Sequence, residues 1–300
     1  MSSAVQTEGL TKRYGLRLGV ENLDLEVQQG EIFGFIGPNG AGKTTTIRLL
    51  LDLLHPTSGR ATVLGLDAHR DSVAVRRATG YLPGEFGLDV HMTGRQFLRY
   101  CGRLRGLDDL GAASQVADRL DLDLDVPMGR LSRGNRQKLG LVQALFHHPQ
   151  LLILDEPTTG LDPLVQDTFL QMMREARSEG RTVFLSSHIL SEVERVCDRV
   201  AIVRGGRLAA LETTESLLEK RRKRVTLVFG EPVDATPFAR LPGVSDVRVD
   251  GNTISLRLHD GMDGVVKLAA QHTLLDLNVE HPTLDEVFMG YYDERQPWPA

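Results

Sequence analysis

The chain has 300 residues, 41% hydrophobic and 25% charged, which excludes a mainly disordered chain or a fibre and suits about two domains. Forty acidic against 35 basic residues leave a net charge of −5, which argues against a nucleic-acid binder that relies on bulk positive charge. The two cysteines, Cys101 and Cys197, make neither a disulfide framework nor a four-cysteine zinc site; they read as buried thiols in a reducing, cytosolic compartment.

The first ten residues carry Glu8 and no apolar core run, so they do not read as a signal peptide. No stretch approaches the roughly 20 apolar residues that span a bilayer. Any action at a membrane is expected to run through a partner. Residues 1–30 alternate apolar and polar, as in Val20-Glu21-Asn22-Leu23-Asp24-Leu25, the period of half-exposed, antiparallel strands. A short apolar run over 31–36 stops at Gly37 and leads into a glycine-rich turn. A helical pattern follows over 43–54 and ends before His55-Pro56.

Residues 86–146 read as mostly helical and arginine-rich, with helices at 94–105, 112–120 and 135–147. Next come a buried strand at 151–154 and a helix with Val165, Phe169, Met172 and Ala176 on one face. A strand at 182–186, a helix at 189–196 and a strand at 200–203 complete the alternation, which implies a parallel sheet. The run Lys220-Arg221-Arg222-Lys223-Arg224 reads as a solvated junction between domains, with contact to anionic lipid headgroups or the partner as the alternative. Beyond it the pattern predicts strand 225–229, helix 234–240, strands 244–250 and 253–258, helix 263–272 and strand 274–280. That order suits a small ferredoxin-like domain.

Two segments carry chemistry. Gly37-Pro38-Asn39-Gly40-Ala41-Gly42-Lys43-Thr44 fits the spacing of a phosphate-binding loop, and Thr45 follows it on the helix. Glycines let successive N–H groups turn inward, and the next helix presents its positive end to anionic oxygen. Lys43 is expected to bridge the β- and γ-phosphates, and the Thr44 hydroxyl to hold Mg²⁺. In Leu151-Leu152-Ile153-Leu154-Asp155-Glu156 an apolar strand ends in two carboxylates. Asp155 is placed to hold Mg²⁺ through water, and Glu156 to polarise an attacking water as general base.

Between these segments lies Leu131-Ser132-Arg133-Gly134-Asn135-Arg136-Gln137. With it, the ordered set over residues 5–220 resembles the nucleotide-binding subunit of an ATP-binding cassette (ABC) transporter. That family carries a signature close to L-S-G-G-Q, matched here at Leu131, Ser132 and Gly134 and departed from at Arg133 and Asn135. The resemblance implies that Ser132 and the Gly134 backbone contact the γ-phosphate of ATP bound by a second subunit. It likewise implies that Thr159-Gly160-Leu161-Asp162 is the D-loop across the dimer interface. His188 is then the switch histidine at the γ-phosphate, and Tyr14 the aromatic that stacks on adenine. After Gly80-Tyr81-Leu82-Pro83 the family places glutamine or glutamate, where this chain has Gly84. Glu85 substitutes for that residue, or the role is empty.

Tyr81-Leu82-Pro83-Gly84-Glu85, Ser132 to Lys138 and Thr283-Leu284-Asp285-Glu286-Val287-Phe288 are similar to ABC-2-type exporters, many of which export drugs or antibiotics. The implied fold is α/β: a P-loop NTPase ABC cassette at 1–220, then a small α+β domain at 221–300. The cassette has a parallel core sheet, an antiparallel N-terminal β subdomain and a helical subdomain at about 86–146. The implied activity is Mg²⁺-dependent ATP hydrolysis at the cytoplasmic face of the membrane. The implied partners are a separate ABC-2-type permease, reached through the segment 84–100, and a second ABC subunit, a homodimer in the simplest case. A non-transport ABC ATPase acting on ribosomes or DNA is the competing reading. Against it stand the single cassette and a stretch between Lys43 and Asp155 too short for a long coiled coil. Residues 225–300 carry no motif and read as structural, with a dimerisation or ligand-binding module as the alternative.

Overall fold

A computed structural model of the chain describes residues 2–84, 91–219, 223–259 and 261–280. The chain divides into two units, Met1–Glu212 and Thr213–Ala300.

The first unit opens with β1 (Ser3–Tyr14) and β2 (Arg17–Gln28), an antiparallel pair in which Val5 faces Val27 and Thr7 faces Leu25. Their alternating burial follows the alternating sequence, with Val5, Val20, Leu23, Leu25 and Val27 inside. β3 (Ile32–Ile36) is buried throughout and leads into α1 (Lys43–Leu50). That helix stops four residues short of the 43–54 expected from its pattern. Asp52 takes a left-handed φ of 54°, and the N–H groups of Leu53 and Leu54 turn back to the carbonyl of Arg48. β4 (Ser58–Val63) and β5 (Leu66–Asp67) join β1 and β2 in a sheet of order β2-β1-β4-β5.

α2 (Ser72–Ala78) and β6 (Thr79–Leu82) precede the helical segment. There α3 (Gly94–Leu104), α4 (Gly111–Arg119) and α5 (Arg133–Leu145) form. The capping box of Thr93 and Gln96 fixes the start of α3, and the Ser132 hydroxyl caps α5. The chain then alternates through β7 (Leu151–Asp155), α6 (Pro163–Ser178), β8 (Thr182–Ser187), α7 (Leu190–Val196), β9 (Arg199–Arg204) and β10 (Arg207–Thr213).

The second sheet has the order β10-β9-β3-β8-β7-β6, with parallel pairing from β9 to β6. This order sets the carboxyl ends of β3, β8 and β7 side by side. Ile36 pairs with Ser187, and Asp155 with Ser186. Open parallel sheets bind ligands at such ends.

The second unit contains α8 (Thr214–Glu219), β11 (Lys223–Phe229), α9 (Thr236–Ala239), β12 (Val244–Asp250), β13 (Thr253–Leu258), α10 (Met262–Ala269) and β14 (Leu274–Glu280). Its antiparallel sheet runs β12-β13-β11-β14. Val225, Leu227, Phe229, Ile254 and Leu256 of the strands pack with Phe238, Val265 and Ala269 of the helices. The basic run is not a solvated junction along its whole length. Lys223 and Arg224 open β11, paired with Leu258 and Arg257, and the division between units comes earlier, at Glu212. Residues 220–222 and 283–288 lie outside the described residues.

Candidate functional site

The loop between β3 and α1 is built on glycines for lack of room. A Cβ at Gly37 would stand 2.4 Å from the Val203 carbonyl, and one at Gly42 2.6 Å from the Gly19 carbonyl. Gly40 and Gly42 adopt φ of 80° and 107°, which L side chains rarely take. The Ala41 N–H closes a turn on the Pro38 carbonyl, and Gly206 donates to the Ala41 carbonyl. Pro38, Asn39 and Gly40 are exposed at the tip, whereas Ala41, Gly42 and Lys43 are buried. The Lys43 ammonium is thereby folded back over its own loop, donating to the Gly37 carbonyl at 2.7 Å. Thr44 and Thr45 sit half-buried on the first turn of α1.

Three strand ends converge on this loop. Asp155 is 1% exposed at the tip of β7, and its two oxygens are shared out. Thr44 Oγ1 donates to Oδ2 at 2.7 Å and Ser186 Oγ to Oδ1 at 2.5 Å. Glu156 follows with a left-handed φ of 51°, a conformation that costs a non-glycine residue roughly 1–2 kcal/mol. Its neighbours over-determine that conformation. The Glu156 N–H donates to Ser186, and its carbonyl accepts from Gln137 Nε2 at 3.1 Å. The turned backbone aims the carboxylate between two bases. Oε1 lies 3.1 Å from Lys43 Nζ, and Oε2 lies 2.5 Å from His188 Nδ1. His188 is exposed just beyond β8. Lysine, threonine, two carboxylates and histidine thus meet at one place, although the chain separates them widely.

Tyr14 is 45% exposed at the end of β1. The absence of a side chain at Gly19 lets its ring lie close: a Cβ there would meet Tyr14 Cε2 at 2.9 Å and the Thr45 methyl at 3.3 Å. The Lys12 ammonium stands 5.5 Å from the ring centroid. Ser132 accepts the Asn135 N–H at 3.2 Å as the cap of α5. Gly134, on the first turn, has room only for hydrogen, because a Cβ would sit 2.7 Å from the Gly160 carbonyl. The signature segment therefore packs on the 159–162 loop of its own chain. Asp162 caps α6 by accepting the Val165 N–H at 3.0 Å. Gly84 also approaches the carboxylates, and a Cβ on it would stand 3.2 Å from Asp155 Oδ2. Glu85 lies outside the described residues.

Two buried polar residues were not singled out from the sequence. Gln137 donates to the carbonyls of both Glu156 and Pro157, at 3.1 and 3.0 Å. Glu192 is 7% exposed on α7 and accepts from Thr158 at 2.7 Å and Ser187 at 3.3 Å, joining the loop after β7 to the end of β8. Burial pushes its carboxyl above the usual value. The available signal was a polar residue inside an apolar helical stripe, such as Glu192 between Leu190 and Val193.

Residues 20–159 match the ABC transporter family. The bacitracin transport ATP-binding protein BcrA of Bacillus licheniformis is 38% identical over 226 residues, covering 74% of each chain. The daunorubicin resistance ATP-binding protein DrrA3 of Streptomyces coeruleorubidus is 36% identical over 304 residues, covering 96% of this chain and 95% of that one. A solved ATP-binding subunit of an ABC transporter superposes with a TM-score of 0.66 at 30% identity, covering 71% of this chain and 91% of the other.

Proposed function

The chain belongs to the ABC transporter family as an ATP-hydrolysing subunit, and on that premise we propose that it drives export through a separately encoded ABC-2-type permease at the cytoplasmic face of the membrane. The transported class is drug-like, antibiotic or otherwise hydrophobic. This is supported by near full-length similarity to a daunorubicin resistance protein and by similarity to a bacitracin transport protein. The observation that carries the catalytic reading is the meeting of Lys43, Thr44, Asp155, Glu156 and His188 at one set of strand ends.

Lys43 and the loop Gly37–Thr45 hold the phosphates, and Tyr14 takes the adenine. Glu156 orients the water and accepts its proton. His188, in contact with Glu156, steadies the γ-phosphate. The Thr44 hydroxyl and the Asp155 carboxylate are hard oxygen donors 2.7 Å apart, a pair that suits Mg²⁺. When bound, that ion neutralises phosphate charge; Thr44 and Asp155 would hold it. Ser132 and Gly134, presented with the 159–162 loop, complete the site of a second copy, so the working form is a dimer. The segment 84–100, of which Gly84 and the residues from 91 onward are described, is the side offered to the permease.

The test is export itself. The chain is expressed with a candidate permease in a sensitive bacterium, and accumulation of daunorubicin and bacitracin is measured beside a Glu156→Gln control. Lower accumulation that needs Glu156 supports the reading. Equal accumulation with every ABC-2-type candidate, despite ATP turnover by the purified chain, would retire the export assignment and leave the ATPase standing.

A further inference from the structure

Outside the nucleotide site, the end of α1 and the turn after β5 bring three metal-ligating side chains together. Asp52 Oδ1 lies 3.0 Å from His55 Nδ1 and 2.9 Å from His69 Nδ1. The ligand atoms of all three residues fall within 4.8 Å of one another, and the imidazole rings stand edge to face, 80° apart. From this geometry we infer that Asp52, His55 and His69 form a binding site for a divalent transition metal of the zinc class.

The donor set is two imidazoles and one carboxylate, the mixture that suits Zn²⁺, Co²⁺ or Ni²⁺ and not Mg²⁺ or Ca²⁺. Tetrahedral ligands on bonds of about 2.0–2.1 Å stand roughly 3.3 Å apart. The 2.9 and 3.0 Å separations from Asp52 Oδ1 need an opening of a few tenths of an ångström. The two imidazole nitrogens, within 4.8 Å of each other, close on the ion by rotation of their exposed rings. The backbone presents these atoms ready-made. Asp52 is held at φ 54° by the turn that ends α1, and its carboxylate is 12% exposed. His55 is tethered through its carbonyl to Lys12 Nζ. The His69 turn is fixed by Asp67 Oδ1, which accepts from the N–H groups of His69 and Arg70. Both rings are largely exposed, and a cavity of 410 Å³ beside them leaves space for water to fill the remaining coordination position. Arg60, on the rim of that cavity, is paired with Glu8. Loading needs each imidazole proton on Nε2, leaving Nδ1 to the ion. The ion would cross-link the end of the helix that follows the phosphate loop to the antiparallel sheet.

The full chain, free of nucleotide, is titrated with Zn²⁺ against a chromophoric chelator and with Co²⁺ by visible absorption. One equivalent with micromolar affinity is expected, with a four-coordinate Co²⁺ spectrum and no competition from millimolar Mg²⁺. His69→Gln and His55→Gln should each weaken binding at least tenfold, while His188→Ala retains it. Zinc should raise the melting temperature of the parent chain and not that of the His55→Gln, His69→Gln double variant. Absence of binding overturns the inference. So does equal affinity in the parent and either folded single variant, or loss of the ion in His188→Ala alone, which would place it at the nucleotide site.

Discussion

Lys43 Nζ stands 3.1 Å from Glu156 Oε1, so the cation proposed to meet phosphate and the carboxylate proposed to meet water are in direct contact. Contact of this kind couples the two groups, so each is tested by a readout of its own, binding for Lys43 and turnover for Glu156.

Glu156→Gln keeps the shape of the side chain and removes its charge. ATP turnover should fall by ~10²–10⁴-fold, the usual contribution of a general base. ATP affinity should hold or tighten, because one negative charge fewer faces the phosphates. Steady-state hydrolysis and equilibrium titration with a fluorescent nucleotide check both halves. Turnover within a few-fold of the parent would remove Glu156 from the role of base.

Lys43→Ala strikes binding itself. Charge-assisted contacts to phosphate are worth about 1.5–3 kcal/mol, so ATP should bind roughly ten- to a hundredfold more weakly. Titration in the presence of Mg²⁺ measures it. Unchanged affinity would mean that the loop does not grip the nucleotide.

Association should depend on nucleotide. In the Glu156→Gln background, ATP should trap a two-fold dimer, and its removal should release monomers. Ser132→Arg should prevent trapping while affinity for ATP at Lys43 stays near the parent value. Light scattering across a concentration series reads the mass. Monomers throughout, with activity independent of concentration, would contradict shared sites; dimers that ignore ATP would point to another interface.

His147 supplies a pH dependence. Burial, and then the charge of Arg105, lower its pKa from 6.5 to about 4. The folded chain disfavours the charged ring, so its contribution is full above pH 6.5 and is lost as pH falls through about 4. The loss is bounded by about 3 kcal/mol and is reduced by the ring's partial exposure. Urea unfolding between pH 7 and pH 4 should show a shallower decline in His147→Gln than in the parent chain. Parallel declines would show that folding does not lower the pKa of this ring.

The loop 37–44 is legible in sequence because its shape is set largely by backbone conformation within a few residues. Gly40 and Gly42 are glycines for their left-handed backbone, which local spacing expresses, whereas Gly37 is also fixed by the Val203 carbonyl of a distant strand. The carboxylate pair is legible for a similar reason, since an apolar strand must stop before two charges. The contacts among Lys43, Glu156 and His188 are not, because they arise from the order β3-β8-β7, which no local pattern encodes. The left-handed turn at Glu156 is equally hidden, held by Ser186 and Gln137 from other elements. In the second unit the charge run misdirects. Arg224 can be cationic and still open a strand because its side of the sheet is exposed, with Glu280 beside it.

Gln137 directs its side-chain amide to the carbonyls of Glu156 and Pro157. Any exchange of the helical segment between relatives must respect that attachment. A donor segment with a shorter or apolar residue at 137 would leave two backbone carbonyls without their donor beside the proposed general base. Because the acceptors are main-chain carbonyls, which any relative supplies, the requirement falls on position 137 alone. A hybrid that keeps glutamine there keeps the attachment, and one that loses it should be folded but catalytically poor.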